Sequence, residues 1–121
     1  MIAVKVAAGN LPATLFAAVC MDVADGLTAT GTGQSTAYEV TCATNSFTTV
    51  AAGTGAVLYS AAVGGDDQVI FNGGANPLLV YPQVGAKINK LTANLPMQLA
   101  VNTGVYFRAI STTQWVGVLS A

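Results

Sequence analysis

The chain has 121 residues, of which 53% are hydrophobic and 7% are Asp, Glu, Lys or Arg, with a formal net charge of −1. A typical soluble domain is about 25% charged, and a disordered chain is charged and poor in apolar residues, so the composition argues against disorder. Lys5, Lys87, Lys90 and Arg108 are scattered along the chain, which argues against nucleic acid, whose phosphates demand clustered Lys and Arg. The length suits one domain with an arm. With so few charges, little holds copies of a monomer apart. The surface is therefore wetted by Thr, Ser, Asn, Gln and backbone, or covered by other subunits.

In chain order, Ile2–Ala7 reads as a first strand. Lys5 followed by "LPATLFAAVCM" (11–21) loosely mimics a signal peptide, but Gly9, Asn10 and Pro12 interrupt it and no small-x-small cleavage site follows. No run reaches the ~18 apolar residues of a membrane helix, so no membrane partner is expected. Residues 13–24 fit a short helix or, equally, a strand. "DGLTATGTGQST" (25–36) reads as a flexible, low-complexity linker. The division expected is an N-terminal arm and linker over 1–33 and a compact β domain over 34–121.

Beyond the linker, turn residues recur every eight to twelve positions, the spacing of an all-β fold. Strands are expected at Ala37–Thr41, Ser46–Ala51, Ala56–Ser60, Gln68–Asn72, Leu78–Tyr81, Gln98–Val101, Val105–Ile110 and Gln114–Leu119. They are short and rich in Val, Thr, Tyr and Phe. In "VYFRAI" (105–110), Val105, Phe107 and Ala109 share one face, and Tyr106, Arg108 and Ile110 the other. That second face is mixed, which suits a partner surface better than bare solvent. "AAGTGA", "VGGDDQ" and "NGGANP" read as turns, and "STTQ" (111–114) as a tight hairpin. Cys20 and Cys42 form no CxxC and no Cys/His set. They are able to pair, but spacing alone does not require it, and free buried thiols are expected.

Chemistry is hard to place. The chain has no histidine, which removes the commonest general base and metal ligand. Asp66-Asp67 offers too few ordered oxygens for calcium and reads as a solvated turn. Asp22, Asp25 and Glu39 imply no catalytic cleft. "GTGQST" lacks the Lys-Ser/Thr ending of a phosphate loop. Tyr81, Tyr106, Phe107 and Trp115 are able to form a sugar-stacking platform, but core or subunit interface is the stronger reading. No catalytic residue, cofactor or metal ligand is assigned, and the chain is read as a non-enzyme.

The C-terminal portion carries an ordered set of motifs. "NGGANP" is followed by "LLVYP", a Gly turn, "IN", "AN", "LA", "GVYF" and "TTQW", with "TTVAAGTGAVL" (48–58) ahead of them. Over about 34–121 this resembles a β module of structural proteins in tailed-bacteriophage virions. Nothing in the resemblance covers residues 1–33. It implies a packing and assembly unit in a virion assembled in the host cytoplasm. The expected fold is a small antiparallel all-β sandwich or barrel, jelly-roll-like, with an N-terminal arm that reaches onto a neighbour. The expected state is a homotrimer. The expected role is a capsid decoration or cement protein that bridges subunits of the major capsid protein. The alternatives are a tail or fibre component, or a carbohydrate-binding host-attachment module. Interface residues are expected at Ile2, Val4, Val6, Leu15, Phe16, Tyr81, Tyr106 and Trp115.

Overall fold

The computed structural model describes residues 23–59, 61 and 64–120. Ten strands follow in order: β1 (Val23–Thr28), β2 (Tyr38–Glu39), β3 (Thr44–Thr49), β4 (Gly55–Val57), β5 (Asp67–Asn72), β6 (Leu78–Tyr81), β7 (Lys87–Ile88), β8 (Met97–Leu99), β9 (Thr103–Ser111) and β10 (Gln114–Leu119). No helix occurs among the described residues. The all-β expectation holds.

The strands build two sheets, one in the order β1-β3-β5-β9-β10-β7 and one in the order β2-β4-β6-β8. The chain alternates between them. β1, β3 and β5 run parallel in the first sheet, and β2, β4 and β6 run parallel in the second. Parallel neighbours need a crossover, and here the crossover is a strand of the opposite sheet. Each coil so formed adds one strand to each sheet, with Thr44 beside Val69 and Gly55 beside Leu79. This winding is that of a short β-solenoid rather than a barrel or sandwich. It corrects the expectation of an antiparallel jelly-roll-like fold. Apart from a single antiparallel bridge between Thr30 and Gly55, antiparallel pairing among the described residues enters after the third coil, where β8 joins β6 and the β9–β10 hairpin joins β5.

The core lies between the sheets. Phe47, Leu58, Ile70, Leu78, Val80, Ile88, Leu99, Val105, Phe107 and Trp115 are all buried in it. The alternation read in "VYFRAI" is observed: Val105, Phe107 and Ala109 are buried, while Tyr106, Arg108 and Ile110 are exposed. Residues 112–113 make the hairpin turn.

Among the described residues, three buried polar side chains, Asn45, Gln68 and Asn72, also face inward. They serve backbone groups where the coils turn, since an unpaired buried carbonyl or N–H is costly. Asn72 Nδ2 donates to the carbonyls of Asn76 (2.9 Å) and Leu99 (3.0 Å), and its Oδ1 accepts from Gly74 N (3.0 Å). Asn45 Nδ2 and Gln68 Nε2 both donate to the Cys42 carbonyl. Between coils, Asn76 Nδ2 donates to Val50 O at 2.9 Å. Gly74 sits so close to Val50 that an added Cβ would lie 2.7 Å from the valine Cβ, so the third coil crosses the second there without room for a side chain.

Two further expectations change. Val23–Thr28, inside the segment read as arm and linker, forms β1 of the six-stranded sheet. Gly26, at φ 71°, takes up a register shift against β3. Cys42 is disulfide-bonded, which corrects the expected free thiol; the chain's other cysteine, Cys20, lies outside the described residues. Buried position and a bonded sulfur are compatible, so composition alone had no means to separate the two states.

Candidate functional interface

The alternation of β9 places Tyr106, Arg108 and Ile110 on the outer face of the six-stranded sheet. Its neighbours extend that face. In antiparallel pairs, residues directly opposite share a side. Tyr106 stands between Val69 of β5 and Val118 of β10, and Arg108 stands between Asp67 and Val116. Phe71 lies opposite Gly104, whose missing side chain leaves the ring uncovered. Exposure is high for apolar side chains: 65% for Ile110, 60% for Val118, 40% for Phe71 and 39% for Tyr106. A shallow depression of about 360 Å³ is lined by Tyr106, Arg108, Ala109, Ile110, Val116 and Val118.

The charges on this face compensate each other. Tyr106 Oη donates to Asp67 Oδ2 at 3.1 Å, and Arg108 Nη1 donates to Tyr106 Oη at 3.3 Å. Arg108 Nη1 lies 3.8 Å from Asp67 Oδ2, and both side chains are about half exposed. The hydrogen bond with Tyr106 pushes the Arg108 pKa up, with Asp67 adding to the effect. An exposed pair of this kind contributes little to stability. It ties the Tyr106 hydroxyl to β5 and leaves an apolar surface with one neutralised polar spot.

A second concavity, of about 400 Å³, lies elsewhere, lined by Gln34, Ser35, Ala37, Glu39, Val57, Leu58, Tyr59, Gln83 and Val84. Its amides are already engaged. Gln34 Nε2 donates to Pro82 O at 2.7 Å, and Gln83 Oε1 accepts from the Trp115 indole at 2.7 Å. Among the described residues no group of three or more His, Cys, Asp or Glu stands close enough to hold a metal ion. Asp67 of the Asp66-Asp67 pair is engaged with Tyr106.

Of the residues expected at an interface, Tyr106 lies on the outer face described above. Tyr81 and Trp115 are buried within the chain. Trp115 packs edge-on against Tyr59 and Phe107, so its ring offers no face for stacking. Ile2, Val4, Val6, Leu15 and Phe16 lie outside the described residues. Sequence reasoning missed Val69, Phe71, Val116 and Val118. The available signal was the period-2 alternation of "DQVIFN" and "QWVGVL", which puts them on the side opposite the core residues Ile70 and Trp115. Comparison with known proteins finds no matching family model, no matching curated protein and no matching solved structure.

Proposed function

We propose that the protein is a structural component of a tailed-bacteriophage virion, a capsid decoration protein that attaches through the outer face of β5, β9 and β10. The observation that carries this reading is the exposed set of Phe71, Tyr106, Ile110 and Val118, with half-buried Val116 among them, on one face of the six-stranded sheet. An apolar surface of this kind marks a protein contact. The composition agrees: a chain that is 7% charged is suited to a surface largely covered by other subunits. The mechanism is passive. Apolar contact across a seam between capsid subunits raises the barrier to opening, with no chemistry required of the chain. Self-association as a trimer belongs to the same proposal, since a trimer presents three such faces to a shell at once and multiplies weak contacts.

The test is location. Electron cryomicroscopy of intact particles of the virus that carries this gene should find many copies spread over the capsid. Particles made without the protein should open at a lower temperature. Copies confined to the tail would replace decoration by the tail or fibre reading. Light scattering of the purified protein at micromolar concentration should give three times the chain mass, and a stable monomer would remove the trimer.

A further inference from the structure

One motif has no part in the outer face. "NGGANP" (72–77) opens with Asn72-Gly73, the only Asn-Gly pair in the chain. An asparagine side chain reacts with the backbone nitrogen of the next residue to close a five-membered succinimide ring. The reaction is fastest before glycine, which has no side chain to shield the nitrogen and leaves the backbone free to turn.

The fold holds this pair in an unreactive arrangement. Asn72 ends β5, beside Phe47 of β3 and Thr103 of β9, and it is fully buried. Its Nδ2 donates to the carbonyls of Asn76 and Leu99, and its Oδ1 accepts from Gly74 N. Its backbone carbonyl accepts from Asn102 N at 2.8 Å. The nucleophile is occupied as well, since Gly73 N donates to Phe47 O at 2.8 Å. That N–H lies along the ladder toward β3, whereas the Asn72 side chain stands roughly perpendicular to the sheet and points into the core. Ring closure requires the nitrogen to lose its proton and reach Asn72 Cγ, so the bond to Phe47 and the bonds of the side chain must open together.

Asn89, Asn94 and Asn102 are the reverse case. All three are exposed and lie at positive φ, but they precede Lys90, Leu95 and Thr103. The following side chain slows the reaction there, while the fold slows it at Asn72.

We propose that Asn72-Gly73 is a self-modification site, gated by opening of the corner after β5, and that reaction there makes the opening irreversible. In the opened chain Gly73 N bonds to Asn72 Cγ, and the Cγ–Nδ2 bond breaks with release of ammonia. Water then adds to one of the two ring carbonyls. Addition at Cγ leaves an aspartate at position 72, and addition at the backbone carbonyl leaves an isoaspartate. One water is consumed, one ammonia is released, and nothing is oxidised or reduced. Either product spoils the corner. A carboxylate has no proton to give the carbonyls of Asn76 and Leu99, and it would be buried against them. Isoaspartate also lengthens the main chain by one carbon where Gly73 meets Phe47. Chains that stay open long enough are thereby removed from the folded population in one direction.

The test holds the full-length protein, disulfide intact, in mildly alkaline buffer and separately in concentrated urea, both made with ¹⁸O-labelled water. Peptide mass spectrometry follows each asparagine, and the incorporated label marks conversion through ring hydrolysis. In urea, Asn72 should convert ahead of Asn89, Asn94 and Asn102. In buffer it should convert at least about 100-fold more slowly than in urea, as for a site that reacts only from an opened state. Gly73→Ala, measured in urea so that folding plays no part, should remove the lead of Asn72. Conversion in buffer at the urea rate would overturn the gating, and absence of a lead in urea would overturn the site. After dilution from urea, unconverted chains should refold and converted chains should not. Converted chains that regain the stability of unconverted ones would overturn the irreversibility.

Discussion

The indole N–H of Trp115 donates to the side-chain carbonyl of Gln83 at 2.7 Å. It ties the most deeply buried aromatic of β10 to the loop that follows β6, while Gln83 Nε2 donates on to Thr112 O at 2.9 Å in the hairpin turn. One glutamine therefore links the coiled part of the fold to the hairpin that closes it. Trp115→Ala should lower the unfolding free energy by ~3–5 kcal/mol, as for other buried aromatics. Gln83→Leu, which leaves the indole donor without an acceptor, should cost ~1–3 kcal/mol. Urea denaturation of both variants checks the order and the size.

Asn72 is a second tie. Asn72→Leu keeps the volume but leaves the carbonyls of Asn76 and Leu99 and the N–H of Gly74 without their partner. Each lost partner costs ~1–3 kcal/mol when the group stays buried. A variant as stable as the natural chain by urea denaturation would show that solvent reaches this corner.

Reduction of the disulfide should lower stability by ~2–4 kcal/mol, the usual range for such a cross-link. Thermal melts with and without a reductant measure it. Cys42→Ala should melt at the temperature of the reduced natural chain.

Tyr59 sets an alkaline limit. Burial pushes its phenol above the ordinary value of 10.0, and the negative charges of Asp66 and Asp67 push it further the same way. The unfolded chain then gives up the proton at a lower pH than the folded one. The contribution is complete below about pH 10 and is lost as pH rises through the folded-state value. Tyr59→Phe cannot ionise, so the stability of the natural chain relative to this variant should decline above pH 10. A constant difference across that range would count against the assignment.

The outer face gives the functional prediction. Ile110→Asp and Val118→Asp alter exposed side chains, so each should change folding stability by no more than ~1 kcal/mol. Both should weaken self-association or attachment to capsids at least about 10-fold, read by sedimentation of the free protein and by co-sedimentation with particles. Unchanged association in both assays would place the contact elsewhere.

Much of the strand content was legible. Leu78–Tyr81 and Gln114–Leu119 have the bounds their sequence implies, because Pro77, Pro82 and the hairpin turn delimit them sharply. β1 was not legible: "VADGLT" holds Asp and Gly in mid-strand, and its pairing with β3 carries it through the register shift at Gly26. Parallel winding was hidden for a different reason. Period-2 alternation reports which side of a strand is buried, not which strand lies beside it. Asn45, Gln68 and Asn72 concealed it further, since inward amides blur the apolar pattern while serving the corner carbonyls. On the outer face, Tyr106 stood out through its alternation with Phe107. Val118 gained meaning only once β9 and β10 were paired.

The reversal at β9 also bears on how large an assembly this chain can build. β9 lies antiparallel to β5, and the edges beyond it, β7 and β8, are two and three residues long. A further parallel coil finds no matching template at that end, and such short edges recruit poorly. Open coil stacks with two alike ends grow head to tail into fibres of indefinite length. With one end closed by its own hairpin, this chain offers no site at that end for adding coil upon coil, so growth into a continuous stack is interrupted there.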